Sequence, residues 1–175
     1  MEEKIIIAGF GGQGVLSLGQ FIAYMAIAEK KEVTWLPSYG PEMRGGTSNC
    51  MVVVSQKPVA SPIISTPDCL IAMNLPSLIK FKDKVRKGGT IIINSSLIDY
   101  SEEIPGVNVI QLPAGELAQK AGSEKAANIA ALGAYVKARG KFSAQTAKEV
   151  IKERFSAKPK LIDINLAAFE AGYDY

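Results

Sequence analysis

Lys4-Ile5-Ile6-Ile7-Ala8-Gly9-Phe10-Gly11-Gly12-Gln13-Gly14-Val15 decides the fold of this chain. The apolar run predicts a buried strand over residues 4–8. The glycines predict a sharp turn, and residues 14–30 predict a helix, with Val15, Leu18, Gly19, Ile22 and Ala26 recurring at helical spacing. Gly9, Gly11 and Gly14 fit the pattern G-x-G-x-x-G, with the required strand before it and helix after it. Glycine lets the backbone turn tightly and lets another group approach it closely. The open N–H groups of the helix start and the helix dipole then favour an anion, such as a phosphate or carboxylate. Two other readings of the turn stand beside this one. The glycines can serve only close strand–helix packing. Alternatively they can hold a nicotinamide or flavin dinucleotide, which calls for an acid about 20 residues on, at the end of the second strand. That strand reads Val33-Thr34-Trp35-Leu36 and runs into Pro37-Ser38-Tyr39-Gly40 without one, while Glu29 and Glu32 precede it.

Working outward, the pattern alternates. Strands are expected at 33–36, 47–55, 69–73, 90–93 and 107–112, with a loop rich in breakers at 37–46. Pro76 fits the first turn of a helix that begins after Leu75 and runs to about Val85. Beyond the last strand the pattern is helical at 114–121, 125–139, 143–155 and 163–171, with Gly140 as a C-cap and Ser143 as an N-cap. Alternation of this kind implies an α/β fold with a mostly parallel sheet flanked by helices and a helical C-terminal region covering one face or edge. With 175 residues, the chain is expected to form a single domain over 1–175.

Composition excludes more than it proposes. Hydrophobic residues make up 47% and charged residues 21%, as in ordinary soluble proteins. A net charge of +3, with no basic cluster interleaved with aromatics, gives no reason to expect nucleic acid. No apolar run nears the roughly 20 residues that span a bilayer, and the first residues open into a strand rather than a leader, so no membrane association and a cytoplasmic location are expected. There is no histidine, which removes His-based triads, bases and metal ligands together. Cys50 and Cys69 form no C-x-x-C pair and sit in apolar runs, so they are expected to be small core residues rather than cluster ligands or reactive thiols. No catalytic residue and no metal site are expected in this chain.

In an open α/β sheet, ligands bind beyond the carboxyl ends of the strands. Gly11, Gly12, Gln13 and Gly14 would lie there. So would the loop Ser38-Tyr39-Gly40-Pro41-Glu42-Met43-Arg44-Gly45-Gly46-Thr47, and Asn94-Ser95-Ser96 with Asn74-Leu75-Pro76-Ser77 nearby. Arg44 can clamp a phosphate or carboxylate bidentately, or pair with Glu42 or a neighbouring subunit. Tyr39 and Met43 can anchor a protein interface. Asn94 and Ser95 can hydrogen-bond a ligand, or this segment can cap a turn or helix. Glu116 and Gln119 are expected on an exposed, merely solvated helix face.

Together, Gly9-Phe10-Gly11-Gly12-Gln13-Gly14-Val15, Pro37-Ser38-Tyr39-Gly40-Pro41-Glu42-Met43-Arg44-Gly45-Gly46-Thr47, Ser61-Pro62, Gly88-Gly89, Asn94-Ser95-Ser96 and the tail Ala168-Phe169-Glu170-Ala171-Gly172-Tyr173 resemble the gamma subunits of 2-oxoacid:ferredoxin oxidoreductases over nearly the whole chain. The unbroken S-Y-G-P-E-M-R-G-G form looks most like the 2-oxoglutarate type, with pyruvate and branched-chain types still open. The resemblance implies a Rossmann-like subunit that is inactive alone. It implies alpha, beta and ferredoxin-like delta subunits as partners, with ferredoxin reached through the complex. Thiamine diphosphate and iron–sulfur clusters are then expected in the partner subunits. Coenzyme A is expected as co-substrate, with its phosphates at Gly11, Gly12, Gln13, Gly14 and Arg44, near Asn94 and Ser95. The alternative is a stand-alone nucleotide-binding regulator or a dinucleotide oxidoreductase.

Overall fold

In the computed structural model, residues 2–40 and 46–175 are described. They form a six-stranded sheet in the order β2-β3-β1-β4-β5-β6. The strands are β1 (Glu3–Phe10), β2 (Glu32–Tyr39), β3 (Thr47–Ser55), β4 (Cys69–Ala72), β5 (Thr90–Asn94) and β6 (Asn108–Leu112). β3 runs antiparallel to both its neighbours, and the other strands share one direction, so the sheet is mostly parallel as the alternation implied. The helices are α1 (Val15–Ala28), α2 (Leu75–Phe81), α3 (Ala114–Lys120), α4 (Ala127–Arg139), α5 (Ala144–Arg154) and α6 (Ile162–Tyr173).

Burial on both faces explains why the central strands read as unbroken apolar runs. Side chains alternate across the pleat, so Ile5 and Ile7 of β1 join Cys69, Ile71 and Ile92 under α1 and the C-terminal helices. Ile6 and Ala8 join Leu70, Ala72, Ile91 and Ile93 under α2 and its flanking loops. One face thus carries α1, α3, α4, α5 and α6, and the other carries α2. Cys50 and Cys69 are both fully buried, and burial pushes the Cys50 thiol up to about 12. Among the described residues, no helix is long and apolar enough to cross a membrane.

Several expected boundaries shift for physical reasons. β2 continues through Pro37 to Tyr39, where a loop was expected. Proline is tolerated there because β2 is an edge strand, so its missing N–H need not meet a partner. α2 ends at Phe81 and gives way to a 3-10 turn, Lys82–Lys84, before Val85. Gly140 adopts the left-handed C-cap, and the Ser143 hydroxyl accepts from Thr146 N–H at 2.9 Å, both as expected.

Two contacts hold the helical layer in place. α4 crosses α6 with the backbones touching. A Cβ at Gly133 would overlap the carbonyl of Phe169, and one at Gly172 would overlap that of Ala130. At the amino end of β1, opposite the glycine turn, Glu3 and Arg139 form a buried bidentate ion pair. Arg139 Nε donates to Glu3 Oε1 at 2.7 Å and Nη2 donates to Oε2 at 3.0 Å, while Nη1 donates to Thr90 Oγ1 at 3.2 Å. The Glu3 carboxylate raises the guanidinium above its usual range, so Arg139 stays charged.

Arg139→Ala should lower stability by about 3–5 kcal/mol, because it strands a buried carboxylate; the shift in the urea-unfolding midpoint measures this. A thiol titration supplies a second check. The raised Cys50 pKa means the folded state holds its proton from about pH 9 to about 12, while the unfolded chain releases it. Folded stability should therefore fall as pH rises through that window, and Ellman's reagent at pH 8 should label the cysteines only in denaturant.

Candidate functional site

The site begins where β1 and β4 part company. β1 feeds α1 on one face, and β4 feeds α2 on the other. That divergence opens a crevice above the carboxyl ends of the two strands, where ligands of open α/β sheets bind. Met73 N–H donates to Ala8 O at 2.8 Å at the foot of the crevice. Gln13 spans it: Phe10 N–H donates to Gln13 Oε1 at 2.7 Å, and Gln13 Nε2 donates to Met73 O at 3.1 Å. The Gln13 amide is thus engaged within the protein and fixes the shape of the turn.

The glycines divide into two kinds by what surrounds them. At Gly9 an added Cβ would fall 2.9 Å from Met73 Cβ and Val15 Cγ2. At Gly14 it would fall 2.5 Å from Asn128 Nδ2. These positions are glycine because protein fills the space. Gly12, with φ +98°, has nothing within 4 Å of the same point. Its open side faces two clefts, so close packing does not account for it. Gly11 N–H donates to Gly46 O at 2.9 Å and ties the turn to the start of β3.

Gly14 is the left-handed N-cap of α1, and Leu18 N–H donates to its carbonyl at 2.9 Å. The first N–H groups of α1 accordingly remain open donors beside the turn. Asn128, from the first turn of α4, donates through Nδ2 to Gly14 O at 3.3 Å. Residue reading missed Asn128. The only sequence signal is an amide in an alanine-rich helical run, and the contact joins positions 114 apart.

Asn94 is 3% exposed at the end of β5 and borders a cleft of about 230 Å³ with Gly12, Gln13, Met73, Leu97 and Lys125. Its Oδ1 is buried without a partner among the described residues. Ser95 is placed beside it through its backbone, whose N–H donates to Leu112 O at 2.8 Å. Ser96 takes the capping role: its Oγ accepts from Gly115 N–H at 2.9 Å and donates to Glu116 Oε2 at 2.7 Å. Glu116 is therefore bonded to Ser96, and the expectation that it is merely solvated is corrected. Asn74 caps α2, its Oδ1 accepting from Ser77 N–H at 2.9 Å. The turn residues Gly12 and Gln13 thus meet Asn94 across one crevice. Pro41, Glu42, Met43, Arg44 and Gly45 lie outside the described residues, and with them the expected clamp. Among the described residues no cluster of three or more Cys, Asp or Glu could hold a metal ion.

The family profile described as pyruvate ferredoxin/flavodoxin oxidoreductase matches residues 4–175, and the chain belongs to that family. It is 44% identical over 176 residues to the ketoisovalerate oxidoreductase subunit VorA of Methanothermobacter marburgensis, covering 99% of this chain and 36% of the relative. The chain thus spans about a third of that relative's length. It superposes with a TM-score of 0.84 and 28% identity on the gamma subunit of a keto/oxoacid ferredoxin oxidoreductase from Geobacter sulfurreducens, covering 98% of this chain and 96% of that one. It also superposes on a 2-oxoglutarate:ferredoxin oxidoreductase from Magnetococcus marinus with 2-oxoglutarate, coenzyme A and succinyl-CoA bound. That match has a TM-score of 0.90 and 29% identity, covering 99% of this chain and 30% of the other.

Gly12→Ala and Gly14→Ala should separate the two kinds of glycine. Both incur strain of about 1–3 kcal/mol from a positive φ. Gly14→Ala should cost measurably more, and Asn128→Ala should recover part of that excess in the double variant. Denaturation midpoints of the four chains provide the cycle.

Proposed function

We propose that the chain is a gamma-type subunit of a 2-oxoacid:ferredoxin oxidoreductase, inactive alone, that binds coenzyme A at its glycine turn. The observation that carries this is Gly12: a positive-φ glycine at the strand divergence with open space above it, next to the unbonded donors of α1. Such a position admits a phosphate against the backbone, and the α1 dipole favours its charge. Coenzyme A carries a pyrophosphate and a 3′-phosphate. The Magnetococcus marinus structure, which has coenzyme A bound, supports the reading at the level of the fold. Arg44 remains our candidate for a phosphate clamp.

Enzymes of this kind decarboxylate a 2-oxoacid on thiamine diphosphate, pass electrons through iron–sulfur clusters to ferredoxin and release an acyl-CoA. The residues of this chain do not fit a cluster: its two thiols are sealed in the core, and that burial disfavours thiolate. We therefore assign thiamine and clusters to alpha, beta and ferredoxin-like delta partners, in a cytoplasmic complex. The role left to this chain is to bind and orient the co-substrate. For the 2-oxoacid, the loop motif favours 2-oxoglutarate, while 44% identity to VorA favours a branched-chain acid; we adopt the branched-chain reading on the stronger likeness.

A dinucleotide oxidoreductase is disfavoured on structural grounds. β3 lies between β1 and β2, so the end of β2 is not adjacent to the glycine turn, and it offers no acid there to hold a ribose.

In the assembled complex, Gly12→Val and Arg44→Ala should each raise the apparent KM for coenzyme A about tenfold, the size of one lost charge-assisted bond. Unchanged coenzyme A kinetics in an intact complex would sink the proposal. Failure to assemble would instead make these loops an interface. Anaerobic purification through this chain, followed by dye reduction with a panel of 2-oxoacids, should give 2-oxoisovalerate as the best substrate.

A further inference from the structure

Among the described residues, α1, α3, α4, α5 and α6 cover one face of the sheet, and α2 is the one helix on the other. α2 is apolar on both of its sides. Leu78 and Phe81 are buried against the sheet, while Leu75 and Ile79, one turn apart on the outer side, are 41% and 52% exposed. A helix that is apolar all round is ordinarily buried all round. Two more exposed residues flank the same core. Ile63, 70% exposed, precedes Ile64, and Leu97, 60% exposed, precedes Ile98; Ile64 and Ile98 both belong to the cluster beneath α2. Apolar side chains grouped on a thinly covered face mark an interaction surface.

Cations rim this surface. Lys80 and Lys84 hold their Nζ atoms 5.2 Å and 5.4 Å from the centre of the Phe81 ring. Neither is ion-paired among the described residues. Lys82 pairs with the exposed Asp83 at 3.4 Å, and Arg86 pairs with Asp68. Glu102 accepts from the Tyr100 hydroxyl at 3.2 Å, beside Lys82, so the unbalanced charge rests on Lys80 and Lys84. The surface is an apolar centre with a basic rim, and its complement is an apolar patch with an acidic rim.

We infer that the α2 face packs against the partner chain that corresponds to the part of VorA lying outside this domain, through an acidic-rimmed apolar patch on that partner. Length identifies the occupant. This chain spans 36% of VorA and 30% of the Magnetococcus marinus chain, so in both relatives the same fold shares its polypeptide with a larger body of protein. A body of that size held in a fixed complex needs a continuous surface on this fold, and the α2 face is the one that the helices of this chain leave thinly covered. The inference rests on the complex proposed above and adds which face of the chain meets its partner.

The test follows dissociation on dilution of the complex purified anaerobically through the full chain, with the partner identified by mass spectrometry. Ile79→Glu should raise the dissociation constant about thirtyfold, as loss of an interface anchor does. Lys80→Glu combined with Lys84→Glu should raise it about tenfold and flatten its dependence on salt. Ile27→Glu, at a similarly exposed position of α1 on the opposite face, should leave it within about twofold. All four positions are exposed, so the urea-unfolding midpoint of the full chain should stay in place. The KM for coenzyme A of the complex that remains assembled should also be unchanged. Binding indifferent to Ile79→Glu and to the lysine pair, or weakened as much by Ile27→Glu, overturns this inference and leaves the coenzyme A reading standing. So does self-association of the chain that Ile79→Glu abolishes, which would make the face a contact between copies. Recovery of the unmodified chain without a partner resembling that part of VorA, and without 2-oxoacid-dependent dye reduction, overturns both.

Discussion

The contact between Asn128 and Gly14 is the one on which the rest of the site depends. A turn that ends in a left-handed glycine leaves its carbonyl accessible from the side, because no Cβ stands in the way. Asn128 fills that vacancy and bonds the carbonyl. The first turn of α4 is thereby fixed to the first turn of α1, and α6 is fixed to α4 through the backbone contact at Gly133 and Gly172. The walls of both clefts follow from that chain of contacts.

Much of this was legible in the sequence, because local rules carry it. Burial on both faces makes β1, β4 and β5 read as continuous apolar runs in which isoleucine recurs, and the caps at Gly140 and Ser143 follow from single residues. The boundaries that moved did so for tertiary reasons. Pro37 reads as a breaker until β2 is known to be an edge. The placement of β3 between β2 and β1 leaves no mark in residue periodicity, which reports burial along a strand and not which strands pair.

The site was only half legible. Gly12 and Gln13 announce a turn, but the sequence treats all the glycines of the motif alike. Only the surroundings reveal that Gly9 and Gly14 are occupied by packing while Gly12 is open. Asn128 was invisible because it reaches the turn from a helix distant in sequence, and polar residues on such helices ordinarily face water. Ser96 and Glu116 show the reverse: a strand-end polar cluster that could have met a ligand instead caps α3.

The Glu3–Arg139 pair bears on how the chain is made. Glu3 sits in the first strand, and its neutralising partner lies 136 residues later. During synthesis the N-terminal strands and α1 emerge while that carboxylate has no partner, and burying it then would be costly. That charge is neutralised only once Arg139, the last residue of α4, is in place. The ion pair therefore ties the strand that leads into the glycine turn to a helix of the layer that walls the clefts, so the two parts of the chain share one neutralised charge.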